Sequence, residues 1–191
     1  MRHRQIPTEM QQKHEKTMTS FGKIDAYLRK RNINFAFRLN RKTMKKQLTI
    51  ALVAHDARKA DMVEWAVFNS DMLSQHKLIC TGTTGGLIQK AFEDEGIEVE
   101  VERKNSGPMG GDAEIAAMVV NKQIDFCVFL IDDLSANPHE ADIQMLLRQC
   151  RIHNIPIACN RYSADLMITS PLWDNEEYVP KDPQYVPFQR E

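Results

Sequence analysis

Short apolar runs alternate with longer amphipathic stretches along most of the chain, and this alternation restricts the folds that the sequence can adopt. Five runs recur, at residues 48–54, 78–80, 99–101, 126–131 and 155–159. Between them, residues 59–74, 84–94, 113–122 and 140–153 have the length of helices, and residues 163–168 form a last helical stretch. The pattern predicts an α/β fold, a three-layer sandwich around a five-stranded parallel sheet.

The third run differs from the other four. Those four are almost continuously apolar, as is typical of strands covered on both faces. The third alternates its apolar residues with Glu98, Glu100 and Glu102, which leaves one face of the strand exposed to solvent. We therefore expect it to be an edge strand.

Composition excludes several classes of protein. With 42% hydrophobic and 27% charged residues, the chain has globular proportions rather than those of collagen or a disordered protein. Its longest apolar run, residues 126–131, is too short for a membrane helix, and no secretory signal is recognisable. The four cysteines form no CxxC pair, so we expect reduced core thiols in a cytoplasmic protein rather than disulfides or a zinc site.

Charge divides the chain into segments. Residues 1–47 hold 13 Lys and Arg against three Asp and Glu, although the whole chain has a net charge of −1. We predict a basic N-terminal extension (residues 1–46, helical in part), an α/β domain (47–172) and a proline-rich tail (173–191) that is extended over the surface. The extension is interpreted as a solvated segment; contact with nucleic acid or an anionic membrane, and a transit peptide, are the alternatives.

Polar and glycine-rich segments follow the predicted strands at their carboxyl ends, where parallel sheets bind ligands. They are His55 and Asp56 after the first strand, residues 81–84 after the second, residues 106–112 after the third, and Asp132 and His139 after the fourth. Seven of the eight glycines lie between Gly82 and Gly111. This clustering indicates backbone segments that approach a ligand closely.

The loop after the second strand, Thr-Gly-Thr-Thr-Gly-Gly, has the composition of a phosphate site. Glycines free backbone N–H groups, hydroxyls add donors, and the start of a helix adds partial positive charge. The alternative is a strand–helix turn in which Thr83 or Thr84 is only the N-cap of the helix.

Titratable residues at the same edge allow acid–base chemistry. Asp112 ends the second glycine-rich loop, either as a catalytic base or only as a helix cap. His55 and His139 supply two imidazoles, without the ligand spacing of a metal site. Lys59 either reaches a phosphate or is a solvated surface lysine.

These motifs together resemble the methylglyoxal synthase family. The similarity covers residues 47–172 and includes IALVAHD at 50–56, TGTTG at 81–85, the specific SGPMGGD at 106–112, Pro-His at 138–139 and Asn-Ile-Pro at 154–156. The resemblance implies a flavodoxin-like sheet of order 3-2-1-4-5 and a homo-oligomer, usually a hexamer. It also implies conversion of dihydroxyacetone phosphate to methylglyoxal and inorganic phosphate, with no metal or organic cofactor.

The resemblance also assigns roles to individual residues. Asp112 matches the catalytic base, with His55 and His139 as the other catalytic side chains. The substrate- and phosphate-binding positions are His55, Lys59, Thr81, Gly82, Thr83, Thr84, Ser106, Gly107 and His139, and the supporting carboxylates are Asp56, Asp132 and Asp142. The sequence departs from the family pattern in the basic extension, in a longer segment between Gly86 and Ser106, in Asp133 where proline is common, and around Arg190, to which no role is carried over.

Two other function classes compete with the enzyme. A non-catalytic phosphate-binding regulatory module of the same fold would keep the threonine loop but would not need Asp112 together with both histidines. A nucleic-acid-binding protein would rest on the basic extension alone. Phosphate release from dihydroxyacetone phosphate distinguishes the enzyme from both.

Overall fold

The computed structural model describes residues 46–136 and 138–173, together with residues 175, 178, 180, 181 and 183. The predictions for the basic extension before residue 46, for most of the tail and for Arg190 lie outside these residues.

The described residues contain a five-stranded parallel sheet of order β3-β2-β1-β4-β5. Its strands are β1 (Thr49–Ala54), β2 (Lys77–Cys80), β3 (Val101–Arg103), β4 (Phe126–Leu130) and β5 (Ile157–Ala158). The central strand β1 pairs with β2 from Thr49↔Lys77 to Leu52↔Cys80 and with β4 from Ile50↔Phe126 to Ala54↔Leu130. The predicted parallel sheet and its order are confirmed.

The described part of the chain has six helices, of which the first five connect strands and the last follows β5: α1 (Lys59–Phe68), α2 (Ser70–Leu73), α3 (Gly82–Asp94), α4 (Gly111–Val120), α5 (Glu140–Ile152) and α6 (Arg161–Ile168). Two short 3₁₀ turns, Asp56–Arg58 and Gly107–Met109, precede α1 and α4.

The core lies on both faces of the sheet. Alternate residues of β1 point to opposite sides, with Ile50 and Leu52 packing towards α1, α3 and α6, and Ala51 and Val53 towards α4 and α5. Both helix layers are therefore needed to bury a strand that is apolar from Ile50 to Ala54, as in a three-layer sandwich. Among the described residues, no helix has both the length and the apolar character needed to cross a membrane.

The edge strand begins later than predicted. The sequence suggested residues 99–101, whereas the ladder pairs Leu78 with Val101, Ile79 with Glu102 and Cys80 with Arg103. Val99 packs against the core without belonging to the strand. The alternation therefore identified which side chains face the core, but not where the hydrogen-bonded ladder begins. The edge position itself is confirmed.

The first predicted helix, residues 59–74, is in fact two. Asn69 ends α1 and precedes α2, and its side-chain amide donates to the carbonyl of Trp65 at 2.9 Å. Asn69 is buried, and this local hydrogen bond gives its side-chain amide a partner. Periodicity alone did not reveal the break.

Helix starts were also misplaced at the two glycine-rich loops. α3 begins at Gly82 with Thr81 as N-cap, so the prediction that Thr83 or Thr84 is the cap is wrong. α4 begins at Gly111 with Gly110 as N-cap, in a left-handed conformation (φ 90°) that favours glycine. Asp112 therefore lies inside the first turn, and its role as a cap alone is excluded.

Trp173 also belongs to the core. Its ring packs against Phe126, with 4.4 Å between ring centroids, and it is buried. The three buried cysteines, Cys80, Cys127 and Cys150, are core residues as predicted, while Cys159 is half-buried.

Candidate active site

Parallel strands bring their carboxyl ends to one edge of the sheet, and His55 follows β1 there. Its backbone N–H donates to the carbonyl of Leu130 at 3.2 Å, which extends the β1–β4 pairing by one residue. Its ring packs edge-on against Phe129, with 5.1 Å between ring centroids. His55 is buried, so strand pairing and ring packing together fix the position of the imidazole.

One hydrogen bond fixes the tautomer of the neutral His55 ring. The backbone N–H of Asp132 donates to His55 Nδ1 at 2.9 Å. A backbone N–H can only donate, so Nδ1 must be an acceptor and the proton of the neutral ring lies on Nε2. His55 therefore presents Nε2–H as a hydrogen-bond donor.

The carboxylate of Asp132 organises its own loop. It accepts hydrogen bonds from Ser135 Oγ at 2.6 Å and from the Leu134 N–H at 3.2 Å. These bonds, the serine first, lower the pKa of Asp132. The side chain thus shapes the loop after β4, while its backbone orients His55.

Asp112 and His139 form a close pair at the same edge. Asp112 Oδ2 lies 3.3 Å from His139 Nε2, and the ring centroids of His139 and His55 are 6.3 Å apart. Asp112 Oδ1 and His139 Nδ1 are both buried and have no hydrogen-bond partner among the described residues. Each member of the pair therefore keeps one polar atom whose hydrogen-bonding capacity the described residues leave unused.

Burial raises the pKa of Asp112, whose side chain is only 1% exposed. The charges of His139 and His55 act in the opposite direction, and Asp142 acts with burial. A carboxylate that burial has made more basic than usual, and that is still held beside imidazoles, suits proton abstraction.

The second glycine-rich loop packs directly on this pair. A Cβ atom at Gly107 would lie 2.9 Å from His139 Nε2 and 3.1 Å from Asp112 Oδ2. Only glycine therefore lets the backbone after Ser106 pass this close to both functional groups. This close approach explains one of the clustered glycines.

The first glycine-rich loop forms the first turn of α3. Gly82, Thr83 and Thr84 occupy its first three positions, where backbone N–H groups have no acceptor within the helix. Thr83 is exposed, whereas Thr84 is fully buried and its hydroxyl accepts a hydrogen bond from Thr81 Oγ1 at 3.3 Å. The geometry of this turn suits an anion.

The two glycine-rich loops meet at Asn105. Its carbonyl accepts a hydrogen bond from the Gly82 N–H at 3.0 Å, and a Cβ at Gly111 would lie 2.0 Å from the same oxygen. Glu114 Oε1 accepts from both the backbone N–H and the side-chain amide of Asn105. Sequence analysis missed Asn105 and Glu114, because no local pattern marks a contact between residues nine positions apart.

Lys59 and Asp56 pair at the start of α1. The lysine ammonium donates to the Asp56 carboxylate, and this hydrogen bond lowers the pKa of Asp56. The Asp56 side chain is 95% exposed and that of Lys59 is 19% exposed. Lys59 is therefore not a freely solvated surface lysine, and its cation is held near the His55 turn.

Of the predicted site residues, His55, Asp112 and His139 are brought together directly, and Asp142 lies half-buried in the first turn of α5. Among the described residues, no group of three or more His, Cys, Asp or Glu side chains has an arrangement suited to a metal ion.

Comparison with known proteins identifies the family. The family model of the MGS-like domain matches residues 61–159. A methylglyoxal synthase of Treponema socranskii is 69% identical over 147 residues, covering 77% of this chain and 93% of that protein. A methylglyoxal synthase of Coxiella burnetii (strain Dugway 5J108-111) is 43% identical over 136 residues, covering 71% and 91%.

Solved structures agree with these matches. The crystal structure of methylglyoxal synthase from Elizabethkingia anophelis NUHP1 superposes with a TM-score of 0.65 at 42% sequence identity, covering 74% of this chain and 90% of that one. Fold, sequence and the Asp112–His139 pair beside the specific glycine-rich loop therefore lead to one conclusion: the chain belongs to the methylglyoxal synthase family.

Proposed function

We propose that this protein is a carbon–oxygen lyase that converts dihydroxyacetone phosphate to methylglyoxal and inorganic phosphate. The observation that carries the proposal is the buried Asp112, paired with His139 through one oxygen and without a hydrogen-bond partner on the other among the described residues. Burying a carboxylate costs free energy. A module that only binds phosphate has no use for such a group that would offset this cost.

The first step is abstraction of a C3 proton. The adjacent ketone acidifies this C–H bond, and Asp112 Oδ1 takes the proton. Burial raises the pKa of Asp112, which makes the carboxylate a stronger base than an exposed aspartate. The pairing with His139 keeps the carboxyl group in place.

Negative charge then collects on the oxygens of the enediolate. His55 donates from Nε2, because Nδ1 is occupied by the Asp132 N–H. In its protonated form His139 donates to Asp112 through Nε2 and presents Nδ1–H to a substrate oxygen. Fixed donors of this kind stabilise developing charge without reorganisation.

Phosphate leaves in the third step. The electrons of the enediolate form the C3 carbonyl and a C1–C2 double bond, and the C1–O bond breaks to release phosphate. The resulting enol of methylglyoxal loses its hydroxyl proton and takes a proton at C1 to give the product. Elimination requires the C1–O bond to lie perpendicular to the enediolate plane. We assign the phosphate to Thr81, Gly82, Thr83, Thr84, Ser106, Gly107 and Lys59, which hold it in this orientation. Every step is a proton transfer or an elimination, so the proposal needs no metal or organic cofactor.

The decisive experiment follows the products formed from dihydroxyacetone phosphate. We expect equal amounts of inorganic phosphate and methylglyoxal, with activity that persists in the presence of EDTA. Formation of glyceraldehyde 3-phosphate without phosphate release would indicate an isomerase. Binding without any turnover would indicate a regulatory module, and either result would overturn the proposal.

We also propose a homo-oligomer, a hexamer by resemblance to the family, in the cytoplasm. The apolar side chains of Met109 and Leu134, on two loops at the active-site edge, are 75% and 97% exposed in the single chain. Contact with another copy would cover them. Sedimentation analysis tests the oligomer, and a monomeric active enzyme would contradict it.

A further inference from the structure

Arg103 contacts the proposed phosphate-binding turn, although no sequence motif marks it. This residue ends the edge strand β3, in register with Cys80 of β2. Its Nε–H donates to the carbonyl oxygen of Gly82 at 3.1 Å. Since the Gly82 N–H donates to the carbonyl of Asn105, Arg103 and Asn105 together hold Gly82 by its carbonyl and its amide.

Two further glycines make room for this side chain. A Cβ at Gly85 would lie 2.9 Å from Arg103 Cγ, and a Cβ at Gly86 would lie 3.3 Å from the guanidinium carbon. The arginine side chain therefore lies along the first two turns of α3, against glycine positions that have no side chain. Glycine is unfavourable inside a helix. The close contact with Arg103 is a physical reason why glycine is nevertheless present at position 86.

The contact reaches the phosphate site through one peptide group. The carbonyl of Gly82 and the N–H of Thr83 belong to the same planar trans peptide, so they point in opposite directions. Holding the carbonyl from one side fixes the N–H on the other, in the first turn of the helix. A hydrogen bond to the carbonyl also polarises the peptide and strengthens its N–H as a donor.

We propose that Arg103 is a positioning residue for the phosphate group, acting through the peptide between Gly82 and Thr83. This inference rests on the proposed function for the identity of the substrate, but its phosphate-binding part can be tested separately. Arg103 itself need not touch the phosphate.

Three substitutions separate the hydrogen bond from the charge. Arg103→Gln keeps an N–H donor at the same distance along the side chain but removes the charge. Arg103→Lys keeps the charge and lacks a donor at that atom, and Arg103→Met lacks both. Lys104→Met is the matched control, because it removes a cation that pairs with Glu102 and does not bond to the turn through its side chain.

The measurement is the Kd of inorganic phosphate by calorimetry, with the KM and kcat for dihydroxyacetone phosphate on the same samples. We expect Arg103→Met to raise the phosphate Kd and the KM by about fivefold with kcat changed less, Arg103→Gln to stay within about twofold of wild type, and Lys104→Met to have no effect. Arg103→Lys should fall closer to Arg103→Met than to Arg103→Gln.

Equal affinity in wild type and Arg103→Met would overturn the inference, as would wild-type affinity in Arg103→Lys with loss in Arg103→Gln. If Arg103→Met does not fold, the phosphate Kd values of the Gln and Lys variants still test the inference. If Arg103→Met weakens phosphate binding but the wild-type protein does not turn over the substrate, the proposed function is refuted and this inference remains intact.

Discussion

At the scale of single residues, Asp112 determines whether the site can act as a base. Asp112→Asn keeps the shape of the side chain and removes its affinity for a proton. We expect turnover to fall by at least ~10²-fold while binding of phosphate largely persists. Asp71→Asn, an exposed position on α2, serves as the control and should be fully active. Turnover of Asp112→Asn within a few-fold of wild type would contradict the assignment.

The same substitution should stabilise the fold at neutral pH. Burial raises the pKa of Asp112 above the ordinary value of 3.8, so the protonated form is the one that the folded state favours. Its stabilising contribution is complete below the unfolded pKa and is lost as the pH rises through the folded pKa. Asparagine stays neutral throughout, so the Tm of Asp112→Asn should exceed that of wild type at neutral pH.

Thermal unfolding at several pH values measures this effect. The difference in Tm should increase from about pH 4 towards neutrality and then level off, at about 3 °C for each kcal/mol. A variant less stable than wild type at neutral pH would mean that pairing with His139 outweighs the cost of burial.

Gly107 tests the geometry of the pair without changing either member. The added methyl of Gly107→Ala would lie closer to both His139 and Asp112 than ordinary van der Waals contact allows, so these groups must move. We expect at least a ~10-fold loss of turnover with little change in Tm.

Gly96→Ala is the opposite control for Gly107→Ala. Gly96 has a φ of 69° and open space around its Cβ position, so alanine there should lower stability by about 1 kcal/mol and leave turnover unchanged. Normal turnover in a folded Gly107→Ala would show that the observed pairing is not required.

At the scale of elements, the first turn of α3 is the unit that binds phosphate. Replacing Thr83 and Thr84 together by valine should weaken binding of substrate and of inorganic phosphate in parallel, because one site serves both. The single variants should differ in stability. Thr84→Val leaves the buried Thr81 hydroxyl without its acceptor and should cost about 1–3 kcal/mol, whereas Thr83 is exposed.

Inhibition constants for phosphate, KM values and unfolding curves test this set. Unchanged phosphate inhibition together with a higher KM would mean that the two ligands bind at different places. Equal Tm values for the two single variants would contradict the structural role of the Thr84 hydroxyl.

At the scale of the whole molecule, the basic extension is expected to be dispensable for catalysis. A chain that starts at Arg41 should fold, assemble and turn over substrate within about threefold of the full chain, a change of less than ~1 kcal/mol in the barrier. A chain that starts at Gln47 additionally loses Lys46, whose ammonium lies 2.7 Å from Asp125 Oδ1. That pair is partly exposed and should contribute about 0–1 kcal/mol.

Activity and sedimentation of the two shortened chains test the expectation. Loss of assembly or activity in both would make the extension part of the working enzyme and would refute the predicted boundary at residue 46. Loss only in the chain starting at Gln47 would assign the effect to Lys46 and to the beginning of β1.

The sequence by itself determined the sheet. The five strands and every helix except the separate α2 were located from apolar periodicity, with errors at their ends. Periodicity depends only on residues a few positions apart. The edge position of β3 followed from its alternating glutamates. The order of the strands and the identities of the candidate site residues came from motifs that resemble a known family, which periodicity could not have supplied.

Only the tertiary structure decided how these residues meet. The Asp112–His139 contact spans 27 positions and the Arg103–Gly82 contact 21, so no local pattern predicts either. The late start of β3 depends on its pairing with β2, more than 20 residues away along the chain. Burial raises the pKa of Asp112 only in the folded chain, so the chemistry of the site is a property of the tertiary structure.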